Sequence, residues 1–175
     1  FDGSKVKSAE KNKAFLYKPI LVVTIDYIMK ATETIKGGRY MLPFLRLMSS
    51  DLVIDEIDDF NKTDLTAIAR LVHLVGMLGR NVILSSATIP PDLAEGFFSA
   101  YQAGWKCHND FFDKKQPCTC VWCDEFKVQI QSISDTNAPF DKYRTWHNIF
   151  INKRVEKLRQ DIVKRKAFIV ECSDC

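Results

Sequence analysis

The chain has 175 residues, 46% of them hydrophobic, and a formal net charge of +3 at pH 7. This length and composition suffice for one globular domain with a buried core, and so small a charge neither requires nor excludes a nucleic-acid partner. No apolar run approaches the roughly 18 to 20 residues of a membrane-spanning helix, so we expect a soluble, cytoplasmic protein without a membrane partner.

The start of the chain and its cysteines indicate whether it is part of a longer polypeptide and in which compartment it folds. The first residue is Phe1 rather than Met, which predicts a piece of a longer polypeptide. Residues 1–18 carry five lysines and no apolar periodicity. We interpret them as a flexible or incomplete leading segment, followed by one domain over residues 19–175. The six cysteines favour a reducing compartment, because a secreted disulfide scaffold is usually shorter and richer in loops.

The first half of the chain predicts strands alternating with helices. The β-branched runs "ILVVTI" (20–25) and "DLVID" (51–55) are typical of strands buried on both faces. We expect a helix from about Asp26, a loop at the paired glycines of "KGGRY" (36–40), and a short helix at "MLPFLRLM" (41–48).

The second half continues this alternation. Apolar residues at helical spacing predict a helix capped by Asn61 or Thr63 and ended by Gly79. Pro90 and Pro91 suit the start of a second helix, where a missing N–H costs little. The other expected elements are a strand at 81–86, a loop at 107–118, extended chain at 119–130, a charged helix at 140–164 and a strand at 167–172.

This order predicts an α/β fold with a parallel sheet covered by helices on both faces. Ligands of such sheets bind beyond the carboxyl ends of the strands. "LVIDEIDDF" (52–60) places four acidic residues there, namely Asp55, Glu56, Asp58 and Asp59. A bound cation would offset their mutual repulsion.

The stretch Asp55-Glu56-Ile57-Asp58 has the form of a DExD box. In phosphoryl-transfer sites a carboxylate at a strand end holds Mg²⁺, and the next carboxylate orients or deprotonates water. Asp55 would therefore hold Mg²⁺, Glu56 would act on water, and Asp58 would couple the site to other motifs. The alternative is an ordinary polar junction between a strand and a loop.

Two hydroxyl-bearing motifs flank this box at equal distances along the chain. Ser86-Ala87-Thr88 ends the next predicted strand, and its hydroxyls can hydrogen-bond Asp58; the alternative is a capped turn before Pro90. Thr24 and Asp26 end the preceding predicted strand, where a hydroxyl and backbone amides could meet a nucleic-acid phosphate. Asp26 as a simple helix cap is the alternative there.

Together "TIDY", "LVIDEIDDF" and "ILSSATIPPDLAEGFFSAYQAGW" resemble the first RecA-like domain of superfamily 2 helicases. More narrowly, the stretch from "GGRYMLPFLRLMSSDLVIDEIDDF" through "CVWCDEF" is similar to the type I CRISPR-associated helicase–nuclease. Its closest likeness is to the type I-F form, in which the helicase–nuclease is fused to an adaptation subunit. The resemblance covers roughly residues 18–175.

The resemblance implies an ATP- and Mg²⁺-dependent motor that moves 3′ to 5′ along single-stranded DNA and feeds an HD nuclease domain in antiviral defence. Its implied partners are a guide-RNA surveillance complex, a CRISPR integrase subunit, and the HD nuclease and second RecA-like domains of the same polypeptide. Asp55 and Glu56 then take the Walker B roles, with Mg²⁺ bound at Asp55 together with ATP. The coupling motif falls on Ser86, Ala87 and Thr88, and the DNA-contact motif on Thr24 and Asp26.

The sequence departs from that family in what it lacks. No GxxxxGK[ST] phosphate loop is present, no second RecA-like domain follows, and none of the three histidines precedes an aspartate. We therefore expect a central fragment of the first motor domain that neither hydrolyses ATP nor cuts DNA alone.

A non-enzymatic binding module that keeps the RecA-like fold is the alternative reading. It could be stapled by zinc through Cys118, Cys120 and Cys123 with Cys107 or His108. Against zinc, strand alternation sends Cys120 and Cys123 to opposite faces, so buried free thiols are favoured.

The basic run from Lys153 to Lys166 is by default a solvated helix face, although it could follow a DNA backbone. Arg39, Arg46 and Arg144 are similar DNA-binding candidates.

Overall fold

The computed structural model describes residues 3–33, 38–134 and 138–160. Within these ranges the chain is a mixed α/β structure with six α-helices, a small parallel sheet and an antiparallel hairpin, consistent with a partial RecA-like fold. The predicted fold class is thus confirmed. The elements are α1 (Gly3–Tyr17), α2 (Ile25–Met29), α3 (Met41–Leu47), β1 (Leu52–Ile54), α4 (Lys62–Met77), β2 (Val82–Leu84), α5 (Pro91–Phe111), β3 (Cys118–Cys123), β4 (Val128–Ile133) and α6 (Pro139–Gln160).

Strands β1 and β2 pair in parallel, with Val53 opposite Ile83. Leu52 and Ile54 point into the core and are buried. Val53 and Ile83 point the other way and remain 61% and 55% exposed. The expectation that these strands are buried on both faces is therefore wrong at their middle residues.

Among the elements that the structure describes, helices α4 and α5 make the most extensive contact. Helix α4 begins where the Asn61 side chain accepts a hydrogen bond from the Asp64 amide at 3.0 Å, and the chain leaves it through Gly79 in the left-handed conformation (φ +69°). Both signals were predicted. The core lies between these helices, the sheet and α2–α3, and its members include Ile57, Ile68, Leu71, Val72, Val75 and Phe97.

Two glycines permit α4 and α5 to touch backbone to backbone. A methyl group on Gly104 would overlap the His73 carbonyl and crowd the Met77 amide. On the facing helix, a methyl group on Gly76 would overlap the Tyr101 carbonyl. The side chain of His73 also contacts α5, with Nδ1 3.2 Å from the Ala100 carbonyl oxygen. This histidine is a half-buried boundary residue.

The hairpin β3–β4 and α6 form a second, smaller core beside α5. The Trp122 indole N–H donates to His147 Nδ1 at 3.2 Å, so the ring proton of neutral His147 sits on Nε2. Burial lowers the pKa of His147 and keeps the ring neutral. The Phe98 and Tyr143 rings stack with their centroids 4.2 Å apart. Phe97 and Phe98 of α5 are thus both buried, one in each core.

The predicted strand at 20–25 is wrong. Residues 21–24 have no regular structure, α2 begins at Ile25, and Val22 is 90% exposed. The physical reason is pairing: a β-branched run favours extended chain, but a strand is stable only against a neighbour. No strand of the described residues lies beside β1 except β2.

Two further predictions differ from the structure, and a third is tested only in part. Residues 3–17, interpreted above as a flexible or incomplete leading segment, form α1. The predicted loop at 107–118 is helical as far as Phe111, because Trp105, His108 and Phe112 stack along α5 and extend it. The predicted helix at 140–164 is α6, described as far as Gln160; its end and the predicted strand at 167–172 lie outside the described residues.

The close approach of α4 and α5 predicts that alanine has opposite effects on stability at two glycines of α5. Gly104→Ala forces the two backbones apart, and we expect it to lower the free energy of unfolding of the 175-residue chain by about 2–3 kcal/mol. Gly96 lies on the same helix with nothing within 4 Å of an added methyl group. Gly96→Ala therefore raises the free energy of unfolding by up to about 1 kcal/mol. Urea denaturation measures both, and equal effects would contradict the close contact.

Candidate functional site

The candidate site begins where β1 ends. Glu56 adopts the left-handed conformation (φ 53°, ψ 48°), which turns the chain sharply out of the strand. Ile57 then points inward and is fully buried, while its backbone N–H donates to the Ser85 carbonyl at 3.2 Å. The Ser85 N–H in turn donates to the Ile54 carbonyl at 2.9 Å. These two bonds hold the ends of β1 and β2 side by side.

The turn explains how a buried strand can run into four acidic residues. Ile57 anchors the turn in the core, and the four carboxylates around it, Asp55, Glu56, Asp58 and Asp59, are all exposed. Water therefore screens their mutual repulsion. The burial cost of the cluster is avoided, and the carboxylates remain accessible to a ligand at the carboxyl end of the sheet.

The structure brings Asp58 together with Ser86 and Thr88, as the sequence predicted for these side chains. The Ser86 hydroxyl donates to Asp58 Oδ1, and the Thr88 hydroxyl donates to Oδ2 at 3.5 Å. Ser86 Oγ also lies 3.1 Å from the Thr88 carbonyl oxygen. A hydroxyl has one proton to give, and the charge of Asp58 makes it the stronger acceptor.

This network sets the protonation of Asp58. The Ser86 hydroxyl, followed by the backbone of Asp58 and the Thr88 hydroxyl, lowers the pKa of the Asp58 carboxyl below its usual range. Hydrogen bonds to a carboxylate stabilise its charged form. Asp58 is therefore an anion held in one orientation between two strand ends. Ala87, the middle residue of the motif, is exposed and its methyl group contributes no polar contact.

Asp55 and Glu56 differ from Asp58 in having no hydrogen-bond or ion-pair partner among the described side chains. The same ranges contain no group of three or more acidic, histidine or cysteine side chains that could enclose a metal ion. This donor set fits a Mg²⁺ ion that is held by one or two carboxylates and completed by water and phosphate oxygens. It does not fit a metal cage made of protein ligands alone.

The other predicted DNA-contact residues lie outside this network. Thr24 precedes α2 without capping it through its side chain, and Asp26 lies in the first turn of α2. Arg39 lies in the turn before α3. All three side chains are exposed. In the described part of the chain, no hydrogen bond or ion pair joins them to one another or to the carboxylates.

Two other arginine candidates have structural partners. Arg46 is buried and donates to backbone carbonyls, at 2.9 Å to Leu16 and 2.6 Å to Lys18. Arg144 forms an ion pair with Glu95 at 2.8 Å across α5 and α6. Arg46 is therefore unavailable to DNA in this conformation, and the guanidinium of Arg144 is already occupied by a carboxylate.

The cysteines of the hairpin follow the alternation of the strand. Cys118 is buried and Cys120 half-buried on one face, and Cys123 is exposed on the other. These three and the exposed Cys107 are free thiols. Cys172 and Cys175 lie outside the described residues.

Two features of the site were not predicted. Ser85 was not singled out, although both of its backbone groups bridge the strand ends; its position directly after a strand was the available signal. Nothing in the sequence indicated the left-handed backbone conformation of Glu56, because glutamate does not favour a positive φ.

No helix of the described residues is both long and apolar enough to cross a membrane.

No protein-family model matches the chain. Two curated proteins are similar to it, and both are named CRISPR-associated nuclease/helicase Cas3 subtype I-F/YPEST. The protein of Pseudomonas aeruginosa (strain UCBPP-PA14) is 42% identical over 155 residues, which are 87% of this chain and 14% of the relative. The protein of Pectobacterium atrosepticum is 40% identical over 149 residues, 83% of this chain and 13% of the relative. The resemblance drawn from the motifs is confirmed, and the chain spans about a seventh of the length of these relatives.

The left-handed Glu56 is expected to lower stability measurably. A residue with a side chain loses about 1–2 kcal/mol in this conformation, and glycine does not. Glu56→Gly relieves that cost and Asp55→Gly does not, while each variant removes one carboxylate and adds one flexible glycine. We expect Glu56→Gly to be more stable than Asp55→Gly by about 1–2 kcal/mol in urea denaturation at neutral pH. Equal stabilities would contradict the strain.

The Asp58 network predicts a pH response. Ser86→Ala removes the main hydrogen bond to the carboxylate, so the pKa of Asp58 rises toward the ordinary value of about 3.9. Because the folded pKa is depressed, the network stabilises the fold above that value and loses this effect as the pH falls through the folded pKa. Carboxyl-carbon NMR titration measures the change. Thr88→Val serves as the control and moves the pKa less, since its hydrogen bond is longer.

Proposed function

We propose that this chain is the central part of the first RecA-like motor domain of an ATP-dependent, 3′ to 5′ single-stranded-DNA translocase in a type I-F CRISPR helicase–nuclease. One observation carries the proposal. Asp58 accepts hydrogen bonds from Ser86 and Thr88 at the carboxyl ends of two neighbouring parallel strands, directly beside two exposed and unpartnered carboxylates. The names of the two relatives, nuclease/helicase of subtype I-F, support the helicase–nuclease part of the proposal for the whole polypeptide.

Each residue of the site has a distinct role in this proposal. Asp55 would hold Mg²⁺, which neutralises phosphate charge when it is bound with ATP. Glu56, projected from the turn, would orient and deprotonate the attacking water. Asp58 would pass the nucleotide state to Ser86 and Thr88, and so to the start of α5. The exposure of Asp55 and Glu56 suits these roles, because both must reach a ligand outside the chain.

The proposed helicase–nuclease function also implies the partners of the polypeptide. Thr24, Asp26 and Arg39 would contact the DNA strand, since their exposed side chains are free of the carboxylate network. A guide-RNA surveillance complex, a CRISPR integrase subunit, and the HD nuclease and second RecA-like domains would be the protein partners. The division into a leading segment at 1–18 and a domain at 19–175, and the cytoplasmic location, are part of this proposal.

The chain alone is proposed to be inactive. Its sequence contains no phosphate loop, so ATP lacks the backbone cradle and the lysine that hold its phosphates. Mg²⁺ then lacks the phosphate oxygens that complete its coordination. The alternative function, a non-enzymatic RecA-like binding module, predicts the same inactivity for the isolated chain but no ATPase activity for a longer polypeptide that contains it.

An ATPase assay on two polypeptides separates these alternatives. We expect no turnover by the 175-residue chain and DNA-stimulated turnover by a longer polypeptide that contains it. In the longer protein Glu56→Gln lowers kcat by about 10²–10⁴-fold, because the amide cannot accept a proton. Asp59→Asn is the control and leaves kcat within a few-fold, since Asp59 has no assigned role. Turnover by the isolated chain that Glu56→Gln abolishes would overturn the proposed inactivity.

A further inference from the structure

A second cluster of charge lies far along the chain from the acidic site, where the hairpin tip meets α6. A cavity of about 210 Å³ opens between them. Four of its lining side chains are cationic, Lys127, Lys153, Arg154 and Lys157, and two are carboxylates, Asp124 and Glu156. The cavity therefore has an excess of positive charge.

Interactions within the tip fix the walls of this cavity. The Asp124 carboxylate accepts hydrogen bonds from the Phe126 and Lys127 amides, both at 2.8 Å, and so closes the turn between β3 and β4. The Lys127 ammonium lies 3.4 Å from the Phe150 carbonyl oxygen. Arg154 forms an ion pair with Glu125 at 3.3 Å. These contacts hold two cations and the turn in place on α6.

Two cations in the cavity have no carboxylate partner. Lys153 and Lys157 lie one turn apart on α6 and are exposed, and neither forms an ion pair within the described residues. The Lys157 ammonium rests 5.2 Å from the Phe126 ring centroid, which positions it beside the cavity. A pair of unpartnered ammonium groups at this spacing is suited to an anion that lies across the helix turn.

We propose that this cavity binds a backbone phosphate of a single-stranded nucleic acid. The cavity is smaller than the pockets of about 300–1,000 Å³ that hold whole small-molecule ligands. A phosphodiester needs less room, and the rest of its strand stays outside. Lysines suit such a contact, because they recognise phosphate as point charges without sequence preference. The Phe126 ring at the rim adds an aromatic face for a base.

This contact would be separate from the strand-end residues that the proposed function assigns to DNA. The inference rests on the proposed function in one respect: that function favours a nucleic-acid strand over another polyanion as the occupant. Binding here needs no nucleotide, so it can be measured on the 175-residue chain whether or not the ATPase proposal holds.

The test is the salt dependence of DNA binding by Lys153→Gln/Lys157→Gln. Fluorescence anisotropy with a labelled oligothymidylate of about 16 nucleotides gives the affinity between about 50 and 200 mM salt. Each lost phosphate contact lowers the slope of log K against log salt by about 0.7 for a single strand. The two lysines share one phosphate, so we expect the slope to decrease by about 0.7 and the affinity at the lowest salt to fall about tenfold. Both residues are exposed, and circular dichroism and the urea midpoint verify the fold.

Two further variants sharpen the test. Lys114→Gln/Lys115→Gln removes the same charge from two exposed residues just after α5. This variant should change the affinity less than about twofold, because distant charges are screened. Glu156→Gln removes a carboxylate from the cavity itself and should tighten binding.

Three results would overturn the proposal. The first is no DNA binding by the wild-type chain. The second is an equal effect of the two double variants. The third is displacement of the oligothymidylate by polyglutamate at equal charge concentration, which would make an acidic protein segment the occupant.

Discussion

The close approach of α4 and α5 at Gly76 and Gly104 is the constraint on which the rest of the structure depends. Helix α4 follows β1 and helix α5 follows β2, so the distance between the helices sets where the two strands run. Because a methyl group on either glycine would strike the opposite backbone, the helices can reach this separation only with glycine at both positions. The Ile57 amide can then meet the Ser85 carbonyl, and Asp58 can meet Ser86.

Patterns that depend on local chain chemistry were predictable from the sequence. Asn61 and Gly79 mark the ends of α4 because a cap and a left-handed stop require particular residues. The pairing of Asp58 with Ser86 followed from placing both at ends of parallel strands. Features that depend on distant partners were not predictable. Residues 20–25 have the composition of a strand but no neighbouring strand to pair with. The last turn of α5 is stabilised by aromatic stacking, which a search for capping residues in the sequence does not detect.

The apolar surface that remains uncovered has a consistent layout. Val53 and Ile83 lie opposite each other on one face of the parallel sheet. On the hairpin, Val121 and Ile130 are likewise paired across the strands and exposed. Isolated exposed apolar residues are ordinary, but cross-strand pairs form short apolar stripes. The chain spans about a seventh of its relatives' length, so such stripes agree with a segment whose faces are covered by other parts of a larger polypeptide.

The residues of the site network are all encoded in the first two-thirds of the chain. Ser86 follows Asp58 by 28 positions and Thr88 follows it by 30. The close approach of α4 and α5 is complete at Gly104. All of these residues precede the hairpin and α6. During synthesis from the N-terminus, the carboxylate, both hydroxyls and the two glycines are therefore available before the segments that form the second core.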